Sequence, residues 1–199
     1  MADNSSVESD RRQSVRVMGR NLFYFQPITK EKFAALQRDF EAGIPLYNHE
    51  GLADIQMFIG AQSALSRIRE RDSDLGDFLA HLDSKINVIL KKAIGTKTII
   101  DNLTLHDLDL SGRGLAFVAE RRMEVDDILE FHIALLPSYT YVYCFGRVLS
   151  CQEQPPQERG IFFKVAAEYV LIMEDDQEKL IQHNFKQQSL ALRNRRLRG

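Results

Sequence analysis

Three arginines stand close together near the start of the sequence, in the stretch DRRQSVRV, residues 10–17. Arg12 and Arg16 are separated by three residues, and Arg11 directly precedes Arg12. A guanidinium group can bind phosphate, or guanine O6 and N7, through two parallel hydrogen bonds, and it can stack on a purine. Because the run follows a polar tail and has no apolar face, we expect residues 1–16 to form an arm that is disordered until it binds a phosphate-bearing ligand.

A second group of polar residues lies in DLDLSGRGLAF, residues 107–117. Asp109 and Ser111 alternate with two leucines, so on a strand the carboxylate and the hydroxyl share an exposed face while the leucines face the core. Gly112 and Gly114 then predict a tight turn with room for a ligand to approach the backbone. The N1–H and N2–H₂ edge of guanine suits a carboxylate, which only accepts hydrogen bonds. Taken alone, the pattern is more typical of a strand end followed by a turn.

Together the two motifs resemble the PilZ domain, the bacterial receptor module for the second messenger cyclic di-GMP. RRQSVR resembles its Arg-x-x-x-Arg arm, and DLSGRG its [Asp/Asn]-x-Ser-x-x-Gly strand end. LPSYTYVYCFGRVLSC and RGIFFKV resemble two later PilZ strands. The resemblance covers residues 10–29 and about 96–185, and the two motifs in this order are more specific than either alone.

The resemblance implies both a fold and a binding site. The fold is mainly β with an α insertion, a six-stranded antiparallel barrel plus a helical insert and a C-terminal helix. The site holds cyclic di-GMP, with arginines on phosphates and guanine faces and the strand-end motif around a guanine base. Its residues would be Arg11, Arg12, Arg16, Asp109, Ser111 and Gly114.

The chain departs from the usual PilZ pattern between the first two barrel strands. Residues 29–93, most of them helical by pattern, occupy a place where PilZ barrels have a short turn. This is similar to tetrameric PilZ variants that carry a coiled coil, some of which lack the binding residues. The present chain keeps those residues, so binding is expected, although the helices could block the arm or present it from a neighbouring subunit.

Enzyme and metal chemistry have weaker support in the sequence. Ser111 is not in a Gly-x-Ser-x-Gly elbow, and His106 lies an odd number of residues from it, hence on the opposite strand face. Asp107 and Asp109 share a face, but no second carboxylate pair accompanies them. The five histidines have no metal-ligand spacing. We therefore expect a binding protein with no catalytic residue, metal or cofactor.

Composition limits the class of protein further. The 199 residues are 44% hydrophobic with a formal net charge of −2, which allows a sizeable core and argues against general nucleic-acid binding. No apolar run is long enough to span a membrane, and the start does not resemble a signal segment. Cys144 and Cys151 form neither a CxxC pair nor a disulfide framework. The sequence therefore predicts a soluble cytoplasmic protein.

Hydrophobic periodicity predicts the elements. An apolar residue at every second position predicts a strand in NLFYFQPI, residues 21–28, and five later strand-like runs. The first of these five is TIIDNLTLHDLDLS, residues 98–111. A first helix is expected after a Thr29 cap and should end at Gly43, and a last one begins near Met173. The organisation that follows is an arm (1–16), a barrel (17–29 and 96–172), a helical insertion (30–95), and a C-terminal helix with a basic tail (173–199).

The insertion carries a heptad seam. Its apolar residues recur at spacings of four and three, and the same frame extends back to Phe58 with only Asp72 out of place. Either one long helix runs through residues 52–94, or RDSD breaks it and Asp74 caps a second helix. The seam needs a partner, which self-association or the rest of the chain could supply. Its residues are Leu75, Leu79, Leu82, Ile86 and Ile89.

The sequence thus predicts a cyclic di-GMP receptor whose arm orders over the nucleotide and alters contact with an unidentified downstream protein. The alternative is an oligomeric PilZ-like scaffold that binds protein partners without nucleotide. The arginines of the C-terminal tail are typical of a solvated helix end, and docking to an acidic partner, nucleic acid or a membrane surface is the functional alternative.

Overall fold

A computed structural model describes residues 16–48, 52–94, 99–155 and 160–196 of the chain. Six antiparallel strands close into a barrel in the order β1-β2-β3-β6-β5-β4. The predicted fold class, an antiparallel barrel with a helical insert and a C-terminal helix, is confirmed. The strands are β1 (Val17–Ile28), β2 (Thr104–Leu110), β3 (Gly114–Ala119), β4 (Ile128–Leu135), β5 (Thr140–Glu153) and β6 (Phe163–Ile172).

Helices occupy the long connection from β1 to β2 and the C-terminal end of the described chain. Thr29 caps the first of them, because its side-chain oxygen accepts a hydrogen bond from Lys32 N at 3.2 Å. That helix gives way to a turn in which Gly43 adopts a φ of 85°, a conformation that favours glycine. The helices are α1 (Lys30–Glu41), a short 3-10 helix (Leu46–Asn48), α2 (Leu52–Arg71), α3 (Ser73–Ile94), α4 (Ile99–Asn102) and α5 (Glu174–Arg196).

The barrel interior is filled by side chains that alternate along the strands. Leu108 and Leu110 of β2 are buried there, as the alternation predicted. Phe23 packs against Phe117 and Phe131, with ring centroids 5.1 and 5.8 Å apart. Leu180 of α5 joins the same cluster, so the C-terminal helix is anchored in the barrel. Burying such apolar surface is the main force that stabilises the fold.

A second apolar cluster lies where the insertion meets the barrel. Leu36, Leu46 and Leu52 of the insertion are buried together with Tyr143 and Phe145 of β5. The register of β5 explains the division, because alternate residues of a strand face opposite sides of the sheet. The insertion is therefore packed on the barrel and its first part shares a core with it.

Beneath the insertion lies a buried carboxylate that sequence reasoning did not identify. Glu130 accepts hydrogen bonds from Tyr143 Oη and Gln26 Nε2, both at 2.7 Å, and lies 3.5 Å from His132 Nε2. Burial by itself raises the pKa of Glu130, but the interactions with His132, Tyr143 and Gln26 outweigh it and lower the pKa to about 2. His132 Nδ1 in turn bonds Tyr141 Oη at 2.6 Å. The charged carboxylate is thus a stabilising part of this interface.

Helices α2 and α3 form an antiparallel hairpin, which settles the question of continuity. The break falls at Asp72, whose carboxylate accepts the Leu75 N–H at 3.0 Å. Of the two alternatives that the sequence left open, the break occurs, and Asp72 rather than Asp74 caps the second helix. Arg69 pairs with Asp77 at 2.8 Å across the hairpin. Asp72, the one residue out of the heptad frame, is thus the residue at which the chain reverses.

Much of the heptad seam remains uncovered within one chain. Leu75, Leu82, Ile86 and Ile89 are each between 39% and 65% exposed. Phe78, which the seam did not include, is 59% exposed. We call Leu75, Phe78, Leu82, Ile86 and Ile89 the α3 stripe; contiguous apolar surface of this kind is typical of an interface.

Two boundaries differ from the prediction. β1 begins at Val17 rather than at residue 21, because pairing with β2 extends it toward the arm. Residues 99–102, predicted as the start of a strand, form α4, and β2 begins at Thr104. Local β propensity at Ile99 and its neighbour is outweighed there by packing of Ile99 against the second apolar cluster. Within the described ranges, no helix is long and apolar enough to cross a membrane.

Candidate functional site

One residue from each half of the predicted site lies on the outer face of the barrel, Arg16 from the arm and Asp109 from the strand-end motif. Pairing of β1 with β2 sets Met18 opposite Asp109 and so brings the end of the arm beside the strand-end motif. Arg16 Nη1 lies 3.5 Å from Asp109 Oδ2. The Arg16 side chain is 62% exposed and that of Asp109 24% exposed. An arginine and a carboxylate that are distant in sequence thus form one polar, accessible corner.

A similar pair stands one step further along the same two strands. Arg20 Nε lies 3.6 Å from Asp107 Oδ1, and both side chains are more than 70% exposed. Both pairs lie on the outer face because residues two apart on a strand point the same way. This second ion pair has the same two residue types as the first, but it lies outside the predicted site.

Ser111 holds the turn between β2 and β3. Its hydroxyl donates to the Gly114 carbonyl at 2.9 Å and accepts from the backbone N–H groups of Arg113 and Gly114, at 3.3 and 3.1 Å. Ser111 is only 4% exposed, so the expectation of an exposed hydroxyl is wrong. The strand ends at Leu110, and Ser111 therefore leaves the alternating pattern on which that expectation rested. The residue shapes the turn.

Gly114 is needed for the close approach of β3 to β6. A Cβ at this position would lie 2.3 Å from the Ala167 carbonyl oxygen and 3.0 Å from Glu168 Cα. The side on which the glycine lacks a Cβ is thus filled by β6, contrary to the expectation that it leaves room for a ligand. Gly112, whose carbonyl accepts a hydrogen bond from Gln177 Nε2 at 2.9 Å, is likewise buried in the turn.

Other predicted residues are placed as follows. His106 packs edge-on against Phe23 at 5.6 Å, on the interior side of β2 and away from Asp109, and burial lowers its pKa. Arg11 and Arg12 lie outside the described residues. Among the residues that the structure describes, no three His, Cys, Asp or Glu side chains lie together as a metal site.

Two exposed side chains beside the corner were not predicted. Met18, directly opposite Asp109, is 76% exposed. A thioether in this position can pack against an aromatic ring. Arg113 lies in the turn itself and is also exposed. The alternation of Arg16, Met18 and Arg20 was the available signal for Met18, but only the strand register shows that it faces Asp109.

Comparison with solved structures finds distant similarity. The chain is similar to a protein from Xanthomonas campestris described as a new tetrameric PilZ domain self-assembled via a helical bundle. The two are 12% identical, the TM-score is 0.46, and the match covers 91% of this chain and 92% of the other.

The chain is also similar to MrkH of K. pneumonia in two structures. Identities are 16% and 17%, TM-scores 0.40 and 0.35, and the matches cover 46% and 48% of this chain and 42% and 43% of MrkH. No protein-family profile matches the chain, and no curated protein sequence matches it. A PilZ domain assembled through a helical bundle is thus among the solved structures to which this chain is similar.

Proposed function

We propose that the chain is a cytoplasmic receptor for cyclic di-GMP that binds the nucleotide at the corner formed by Arg16 and Asp109. The observation that carries the proposal is their contact at 3.5 Å, which unites the two halves of the sequence motif on one exposed face. The guanidinium group suits a phosphate or a guanine face, and the carboxylate suits the N1–H and N2–H₂ edge of guanine. Met18 offers an apolar surface for the base between them.

In the unbound protein the arginine and the carboxylate satisfy each other. An ion pair as exposed as this one contributes about 1 kcal/mol or less, so an incoming nucleotide can separate it at small cost. Arg11 and Arg12 of the arm then join Arg16 on the phosphates. Ordering the arm costs about 1–2 kcal/mol per residue fixed, which charge-assisted contacts of about 1.5–3 kcal/mol each must offset. Only a short segment of the arm therefore orders on binding.

The turn between β2 and β3, residues 111–113, which we call the motif turn, supports the binding site. Ser111 and Gly114 fix the backbone of the turn beside Asp109, Ser111 through its hydroxyl and Gly114 through the absence of a side chain. Their contribution to affinity is the shape of the turn, and they act on the nucleotide through that shape.

The second ion pair provides matched controls for the test. Arg16→Ala should weaken cyclic di-GMP binding about tenfold to a hundredfold, the equivalent of one lost charge-assisted contact. Arg20→Ala removes the same charge from the same strand face and should change affinity by about threefold or less. Asp109→Asn and Asp107→Asn form the corresponding acidic comparison. Equal losses in Arg16→Ala and Arg20→Ala would show general electrostatic attraction and would contradict a defined site.

We further propose that the receptor is a homo-oligomer joined through the α3 stripe. These side chains lie on one helix at spacings of three and four, which is the pattern of a helix–helix interface. The hairpin partner α2 leaves them exposed, so a second copy is the simplest means to cover them. The bound arm would then alter contact with a downstream protein whose identity the chain does not indicate.

A scaffold that binds protein partners without nucleotide is the second candidate, and the α3 stripe favours it equally. The two candidate functions make different predictions for the corner formed by Arg16 and Asp109. A scaffold predicts that the Arg16 and Asp109 substitutions leave both partner binding and oligomeric state unchanged, and that cyclic di-GMP has no effect on the protein.

A further inference from the structure

The first turn of α5 contacts the motif turn on one side. Gln177 Nε2 donates to the Gly112 carbonyl at 2.9 Å. About two turns further along the helix, Asn184 Nδ2 donates to the carbonyl of Leu110 at 3.1 Å. The Arg113 carbonyl accepts from Tyr169 N of β6 at 2.9 Å. Three successive parts of the motif turn are therefore held by α5 and by the strand that leads into it.

Asp176, the residue next to Gln177 in α5, contacts the helical insertion. Asp176 is fully buried, and its Oδ2 accepts hydrogen bonds from Tyr47 Oη and, at 3.1 Å, from Tyr143 N of β5. Its Oδ1 binds Lys179 Nζ at 2.6 Å. A buried carboxylate bound in this way is costly to move, because any partner it loses leaves charge unsatisfied in the interior.

Tyr47 belongs to a part of the insertion that is packed on the barrel. It lies between Leu46 and the start of α2, and its ring packs near Tyr141 and Tyr143 with centroids 6.3 and 6.1 Å apart. Leu46 and Leu52 on either side are almost wholly buried. A shift of Tyr47 would therefore change how α2, and the hairpin it begins, is seated on the barrel.

We propose that the first turn of α5 couples nucleotide binding at the motif turn to the seating of the helical insertion, through Gln177 on one side and Asp176 on the other. The inference rests on the proposed function and adds the route by which binding reaches the oligomerisation helices. The coupling must be reciprocal, so a change at the Tyr47 contact alters nucleotide affinity as surely as nucleotide alters the insertion.

Hydrogen exchange of the full chain with and without saturating cyclic di-GMP tests the proposal. In the wild type, the nucleotide should slow or accelerate amide exchange in residues 46–48 and in α2 by about fivefold or more. Fivefold is about the smallest effect expected between two coupled sites. Gln177→Ala should bind nucleotide and lose that response. Gln182→Ala is the matched control and should keep that response. Among the residues that the structure describes, this exposed glutamine of α5 donates only to Glu178, at 2.9 Å.

A second variant measures the same coupling from the other end. Tyr47→Phe removes one hydroxyl from the Asp176 contact and should shift the Kd for cyclic di-GMP by about fivefold. Three results would contradict the coupling without contradicting the binding site. The wild type could bind the nucleotide without any change of exchange in the insertion, or the change could persist in Gln177→Ala. The third result is an unchanged Kd in Tyr47→Phe. Wild-type protein that binds no cyclic di-GMP would overturn the proposed function and the coupling with it.

Discussion

Gly114→Ala tests what the glycine of the motif turn is for. The added Cβ would lie 2.3 Å from the Ala167 carbonyl oxygen, whereas ordinary contacts begin at 3.4 Å. β3 and β6 would thus have to separate by about 1 Å, and strain of this kind in a packed region costs about 1–3 kcal/mol. The atom in the way is backbone on a strand paired on both sides, so it cannot rotate aside as a side chain would. Gly114 is not among the described glycines with positive φ, so the clash alone carries the effect.

The assay is thermal unfolding of the ligand-free protein. A loss of 1–3 kcal/mol in a chain of this size should lower Tm by about 3–10 °C. Gly60→Ala is the control, because no atom of the described residues lies within 4 Å of its Cβ position and alanine is favoured in a helix by about 1 kcal/mol. Its Tm should rise slightly. An unchanged Tm in Gly114→Ala would refute the close-approach argument and return Gly114 to the role of leaving space for a ligand.

Three further predictions concern the insertion and its attachment. Glu130 has a folded-state pKa of about 2, below its ordinary 4.5, so its stabilising contribution, about 3 kcal/mol, is complete above pH 4.5 and disappears as pH falls toward 2. Urea unfolding should therefore show Glu130→Gln less stable than wild type at pH 7, with a flatter loss of stability in acid; an equally steep loss would contradict this. The double variant Leu82→Asp with Ile86→Asp should reduce the particle mass seen by light scattering, and a size equal to that of wild type would show that the stripe is not the interface. Asp72→Ala removes the cap of α3 and should destabilise the protein by about 1 kcal/mol in the same urea experiment, whereas no change would mean that the helix start is stable without it.

The elements of the barrel could be predicted because their signals are local. β3, at Gly114–Ala119, corresponds to one of the five strand-like runs that follow the insertion, and Leu108 and Leu110 face the interior because alternation needs only neighbouring residues. The break in the helical insertion was harder to place. The heptad frame continues through the break, so the apolar pattern does not reveal it. The break is fixed by the hydrogen bond from Leu75 N to the Asp72 carboxylate, a capping contact that leaves the apolar pattern unchanged.

The geometry of the candidate site depended on information that the sequence does not display. Contact of Arg16 with Asp109 follows from the register between β1 and β2, which barrel closure sets. Ser111 was misjudged because the alternating pattern was continued one residue beyond the end of the strand. Asp176 lies in the acidic first turn of α5, a place where a solvated carboxylate suits the helix dipole, yet it is buried and bound to Tyr47 because tertiary contacts outweigh that preference.

The cyclic di-GMP site is tested by calorimetric titration of the full chain with cyclic di-GMP, with GTP as the control nucleotide. We expect saturable binding of cyclic di-GMP; GTP should not bind in the same way and should not compete at equal concentration. Absence of heat, together with absence of competition against a labelled nucleotide, would contradict it and would favour the oligomeric scaffold, in which the exposed Arg16–Asp109 pair has no nucleotide to hold.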